Sequence, residues 1–131
     1  MIVRDFNKIV EEKSDRIVSD AQWTSVRMLR ADDGMGFSFH ITFLEEGSEH
    51  TFEYKNHFES VYCMKGKGSI TDLATCETYE IVPGVMYALD KNDRHTLRAD
   101  EELVMACCFN PPVTGNEVHR ADGSYAVAEE A

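Results

Sequence analysis

Two spaced stretches constrain this chain more than anything else in it. The first is KNHFESVYCMKGKG, residues 55–68, in which Glu59 is the lone acidic residue of an apolar and aromatic run. Six residues separate Glu59 from Gly66, which opens a Gly66-Lys67-Gly68 turn. The second starts at Gly84, passes five residues to Asp90, Lys91 and Asn92, and reaches His95 after two more. Strand side chains alternate between faces, so Glu59 points to one side of a sheet, and the glycine lets the chain turn back. Two such strands place Glu59 and His95 together at the mouth of a small β-barrel, where a metal would lie between them.

These spacings resemble the two halves of a cupin motif, E-x6-G and G-x5-P-x-G-x2-H, with Asp90 and Asn92 in the Pro and Gly positions. A usual cupin takes two His and one Glu from the first half and one His from the second. Here the two first-half His positions hold Glu53 and Lys55, so only Glu59 and His95 remain. Tyr87 lies between the halves, on the strand expected over 85–89, and supplies a phenolate oxygen if it points inward. Glu, Tyr and His make an O,O,N set suited to iron or another first-row divalent ion. Its open positions would hold water or substrate, and the metal would act as a Lewis acid. Each residue alone also has a plain structural reading: a rim carboxylate, a core tyrosine, a strand-end histidine. The two spacings together favour the cupin.

The rest of the chain reads as about ten short strands with regular turns and little helix, an all-β sandwich or barrel. Residues 1–6 read as a short apolar strand, 7–15 as a charged turn of helix or a loop, and 16–18 as another short strand. In 22–30, Trp23, Ser25, Arg27 and Leu29 share one side. Phe37, Phe39, Ile41 and Phe43 form an outer apolar face, with Ser38, His40 and Thr42 on a polar face turned to a cavity. Further strands are expected over 51–54, 58–64, 68–73, 77–82, 85–89, 95–99 and 103–109. Residues 114–131 read as a loop, mobile when the site is empty and closing over it as a lid, with 124–131 a frayed tail.

At 131 residues the chain reads as a single domain, 1–131. Its net charge of −11 opposes nucleic acid, which needs a basic patch, and opposes anionic membrane surfaces. Met1-Ile2-Val3-Arg4-Asp5 lacks the apolar core of a secretory leader, so a cytoplasmic protein is expected. Cys63, Cys76, Cys107 and Cys108 show no C-x2-C spacing and read as free thiols.

Trp23 is as readily a core aromatic as a ligand wall. A buried Arg27 needs an anionic partner, and a substrate carboxylate would serve. Glu117 and His119 read as a solvated loop or as an acid/base pair over the barrel mouth.

The segments MIVRDF, FSFHIT, YKNHFESVYC, PGVMYALDKNDRH, ACCFNPP and TGNEVHRADGSYA closely resemble ectoine synthases, over nearly the whole chain. The resemblance implies a cupin barrel, a head-to-tail homodimer, and the cytosol of salt-stressed bacteria. It implies an iron-dependent cyclocondensation in which N-γ-acetyl-L-2,4-diaminobutyrate closes to ectoine and loses water. It makes Glu59, Tyr87 and His95 the metal ligands, for Fe(II) or another first-row divalent ion. It puts Trp23, Arg27, Thr42, Tyr54, Cys107, Phe109, Glu117 and His119 in the substrate pocket, with Tyr54, Glu117 and His119 as candidate bases. Cys108 follows Cys107 where relatives often carry an aliphatic residue, and strand register decides which thiol faces the pocket. The alternative is a non-catalytic small-molecule-binding cupin, such as an osmolyte sensor. Another metal cupin, an oxygenase or isomerase, is disfavoured by Glu53 and Lys55.

Overall fold

The structure is a computed structural model that describes residues 1–54 and 56–113. Lys55, Glu117, His119, the expected lid and the 124–131 tail lie outside the described residues.

Two antiparallel sheets form the fold. The strands are β1 (Ile17–Asp20), β2 (Trp23–Leu29), β3 (Ser38–Leu44), β4 (Glu49–Phe52), β5 (Phe58–Lys65), β6 (Gly68–Asp72), β7 (Glu77–Ile81), β8 (Met86–Leu89), β9 (His95–Ala99) and β10 (Leu103–Asn110). One sheet runs β1-β2-β3-β10-β5-β8 and the other β4-β9-β6-β7. Their facing sides share one core, in which Val61, Ile81, Leu97, Leu103 and Met105 are buried.

Residues 1–6 are not a strand. Helix α1 spans Phe6–Glu11, and the Asp5 side chain caps it by accepting the N–H groups of Asn7 and Lys8. Phe6, Ile9 and Val10 fall at helical spacing, and the Phe6 ring packs on Phe43 of β3 at 5.9 Å. The helix therefore covers part of the sheet's outer surface. A second difference lies at the end of β2. Trp23, Ser25 and Arg27 turn inward, but the register shifts between Arg27 and Leu29, and Leu29 pairs with Phe39 on the outer side. One extra residue in a strand reverses the alternation that follows it.

Both turns of the motif are built as the spacing requires. Gly66 has φ of 100°, and a Cβ there would stand 2.0 Å from the Glu102 carbonyl oxygen, so only glycine fits. Asn92 takes the left-handed conformation, φ 54°, where the motif usually has glycine. Its side-chain amide donates to the carbonyls of Tyr54 and His57 at 2.7 and 3.2 Å, tying the loop before β9 to the loop before β5. Asparagine tolerates that conformation better than most residues and here adds two bonds that glycine lacks.

At the barrel's outer end, Asp33 accepts from Arg4 at 2.7 Å, from Arg16 at 3.2 Å and from the Arg30 backbone N–H at 2.8 Å. This clamp ties the N-terminal segment and β1 to the end of β2. Burial pushes the Asp33 carboxyl up, but the Arg30 N–H and the two guanidinium groups outweigh it and bring its pKa down to about 2.

Candidate active site

The space between the sheets, its opening included, is about 450 Å3. In-register pairing lays out one wall in rows. One row runs Arg27, His40, Cys107, Val61 and Tyr87, from β2 across to β8. The row beside it runs Ser38, Phe109, Glu59 and Leu89. On the other side come Ser25, Thr42, Met105 and Cys63. Glu59 and Tyr87 are thus diagonal neighbours on paired strands. His95 comes from the opposite sheet, where it pairs with Phe52 and Asp72.

Glu59, Tyr87 and His95 line one cavity, and Trp23, Thr42, Tyr54, Cys107 and Phe109 line it with them. Cys107 is buried and Cys108 faces the other way. The Cys107 thiol lies 3.7 Å from Thr42 Oγ1. Tyr54 meets Phe109 edge-on at 5.2 Å and lies 6.0 Å from the His95 ring. Arg27 is fully buried and is not among the lining side chains. It stands one side chain back, its Nε donating at 3.3 Å to Ser25 Oγ, and Ser25 does line the cavity.

The electrostatics of the trio follow from its burial. Glu59 is raised to about 8 by burial, against a smaller lowering from its hydrogen bond with the Cys107 thiol. Burial also lifts the Tyr87 phenol well above its usual range, and the charge of Glu59 lifts it further. His95 is lowered by burial, with Asp93 and Asp72 opposing, so it is neutral at pH 7. Its Nδ1 lies 2.9 Å from the Asp93 carbonyl oxygen. A carbonyl only accepts, so Nδ1 carries the proton and the Nε2 lone pair remains available.

This donor set fits a divalent cation. A carboxyl held back from ionising by burial, and a phenol held back by burial and by that carboxylate's charge, are groups whose charged forms a cation would restore. An imidazole fixed in one tautomer by a backbone carbonyl is the usual arrangement of a metal-binding histidine. Among the described residues, no three His, Cys, Asp or Glu side chains form a metal cluster, and Glu59 and His95 share their cavity with the oxygen-bearing Tyr87.

One interior residue, His57, escaped the sequence reading. His57 is buried with its ring edge-on to Phe109 at 5.8 Å. It stands two residues before Glu59, so alternation alone puts both on one face. Ser25 and Ser38, on the faces the alternation assigns them, are buried, and both hydrogen-bond to His40.

The ectoine synthase family model matches residues 1–129. The L-ectoine synthase of Hyphomonas neptunium is 63% identical over 127 residues, 95% of this chain and 93% of that protein. The chain belongs to the ectoine synthase family. It is an enzyme, a lyase of that family. The crystal structure of ectoine synthase from P. lautus is similar at 45% identity and a TM-score of 0.83, over 88% of this chain and 81% of that one. A cupin domain of an XRE family transcriptional regulator from Enterobacter cloacae has a TM-score of 0.59 at 12% identity, covering 70% of this chain and 99% of that domain. That likeness concerns the fold, which is a cupin. No helix among the described residues is long and apolar enough to cross a membrane.

Proposed function

We propose that the chain closes N-γ-acetyl-L-2,4-diaminobutyrate to ectoine in an iron-dependent cyclocondensation. The observation that carries this reading is one cavity, in a member of this family, lined by Glu59, Tyr87 and His95 together with the aromatic walls Trp23, Tyr54 and Phe109. In the reaction the α-amino nitrogen attacks the acetyl amide carbonyl carbon within the same molecule. A C–N bond forms, and the amide oxygen leaves as water after taking two protons.

The chain's residues favour that closure in several ways. A narrow cavity holds the substrate folded, so the reacting atoms meet without a bimolecular entropy cost. Trp23, Phe109 and Tyr54 exclude bulk water. Arg27 is the cation assigned to the substrate carboxylate, reaching the cavity through Ser25, which its Nε bonds and which lines the cavity. Thr42 and Cys107 form a polar patch on the same wall. The amine attacks as the neutral base, and Tyr54, Glu117 and His119 are the candidates to take its proton. Glu59, Tyr87 and His95 would hold Fe(II), or another first-row divalent ion, which would act as a Lewis acid toward the amide oxygen.

We further infer a cytoplasmic enzyme that makes a compatible solute under osmotic stress and works as a head-to-tail homodimer. Support for the dimer lies on β5 and β8. Phe58, Tyr62, Met64 and Met86 are about half exposed on the outside of the sheet, and β8 is its edge strand among the described residues.

Metal-stripped protein mixed with N-γ-acetyl-L-2,4-diaminobutyrate, with and without Fe(II), and followed by NMR tests the reading. Ectoine formed only with iron is the expected result. Ectoine formed equally without metal would keep the reaction and reduce Glu59, Tyr87 and His95 to pocket residues. No product in either arm, beside an active control enzyme, would favour a binding module.

A further inference from the structure

Four buried polar side chains run in a line through the wall of the barrel, apart from the metal trio. Arg27 Nε donates to Ser25 Oγ at 3.3 Å. Ser25 Oγ lies 3.4 Å from His40 Nδ1, and His40 Nε2 lies 3.1 Å from Ser38 Oγ. Ser38 Oγ then accepts the backbone N–H of Val113 at 3.1 Å. None of the four side chains' residues is more than 2% exposed. Buried polar groups cost free energy unless bonded, so a continuous chain of this kind is either complete or a liability.

His40 is the centre of that line. It pairs directly across strands with Arg27 on one side and Cys107 on the other. Its ring rests beside Phe109, centroids 5.1 Å apart. The two nitrogens lie on different edges of the ring, so one side chain reaches both Ser25 and Ser38. Burial, the Arg27 charge and nearby His57 hold His40 well below its ordinary range, so the ring is neutral. A neutral ring donates from one nitrogen and accepts at the other, so either tautomer makes both serine bonds.

We propose that His40 is a positioning residue that holds Arg27, through Ser25, and the chain at Val113, through Ser38, in one fixed relation. Val113 leads into the segment that carries Glu117 and His119. The line therefore joins the group that anchors the substrate carboxylate to the start of the segment that carries two candidate bases. This inference rests on the roles given above to Arg27 and to that segment.

Its two arms act on different steps, and this makes it testable. Ser25→Ala removes the bond from Arg27 Nε and leaves His40 its bond to Ser38, and should raise KM about tenfold, the scale of one hydrogen bond to a charged group, with a smaller effect on kcat. Ser38→Ala removes the bond to the Val113 N–H, leaving the bond from Ala31 N–H to the Val113 carbonyl at 2.7 Å, and should lower kcat with less effect on KM. His40→Phe keeps a ring beside Phe109 but loses both nitrogens, so it should do both, and His40→Gln, with one donor and one acceptor, should recover part. Amide hydrogen exchange at Val113 gives a readout that needs no activity. It should quicken in Ser38→Ala and His40→Phe and stay unchanged in Ser25→Ala. The inference is overturned if Ser25→Ala and Ser38→Ala move the same kinetic parameter, if His40→Gln does no better than His40→Phe, or if Val113 exchange ignores His40. Should His40→Phe fail to fold, the two serine variants still decide. Should the unaltered enzyme make no ectoine, the functional reading falls, while Val113 exchange still tests the line.

Discussion

Strands β3 and β5 share an unusual pattern and differ in how it is completed. Both turn polar residues inward: Ser38, His40 and Thr42 on β3, and Glu59 on β5 with His57 just before it. Both turn large apolar residues outward. On β3 the outer residues Phe39, Ile41 and Phe43 are only partly exposed, and Phe6 of α1 packs on Phe43. On β5 the outer residues Phe58, Tyr62 and Met64 are 53%, 49% and 49% exposed. A strand with polar groups inside marks a cavity built for a ligand, because an apolar core would reject them. Whether its apolar outside is covered separates a face the chain finishes itself from one left for a partner.

The largest effect should come from the inner face of β5. Glu59→Gln keeps shape but removes the carboxylate, and should cut ectoine formation by about a thousandfold, near 4 kcal/mol, while leaving thermal stability equal or higher. Assays of turnover and metal content, beside a melting curve, check this; full activity would end the metal role of Glu59. Next in size is the outer face of the same strand. Tyr62→Lys with Met86→Lys should weaken self-association about a hundredfold, close to 3 kcal/mol, seen by sedimentation velocity over a dilution series. An unchanged sedimentation coefficient would leave the bare face without a partner. The covered strand should respond differently. Phe6→Ala should cost about 2 kcal/mol of folding stability in urea without changing the oligomeric state.

The smallest effect concerns the Asp33 clamp, away from both strands. Its folded pKa of about 2 lies below the ordinary 3.8, so its stabilising contribution is present above pH 3.8 and is lost as pH falls toward 2. Asp33→Asn should cost about 1 kcal/mol at pH 7, allowing for solvent screening, and flatten that acid-side loss. Urea unfolding at pH 7 and at pH 3 distinguishes the two proteins; a constant difference between them would refute the linkage.

The spacing from Glu59 to Gly66 and from Gly84 to His95, the period-2 pattern of β3, and an all-β barrel of short strands were legible in the residue order. These are local signals: a turn needs its glycine, and a strand alternates whatever it packs against. The rest depended on contacts between distant parts of the chain. Residues 1–6 carry apolar strand formers, yet Asp5 caps a helix there because its Phe6 has Phe43 to rest on. Leu29 left the inner face because the register with β3 slips by one residue, an event that belongs to the pair of strands. Cys107 and Cys108 were equivalent until β10 paired with β3 and β5 and turned the first inward. Asn92 reads as a poor glycine until the carbonyls of Tyr54 and His57, far away in sequence, receive its amide. The line from Arg27 through His40 to Val113 joins three distant parts of the chain, and no spacing within any one of them encodes it. Alternation tells which residues share a face, but only long-range pairing decides what that face meets.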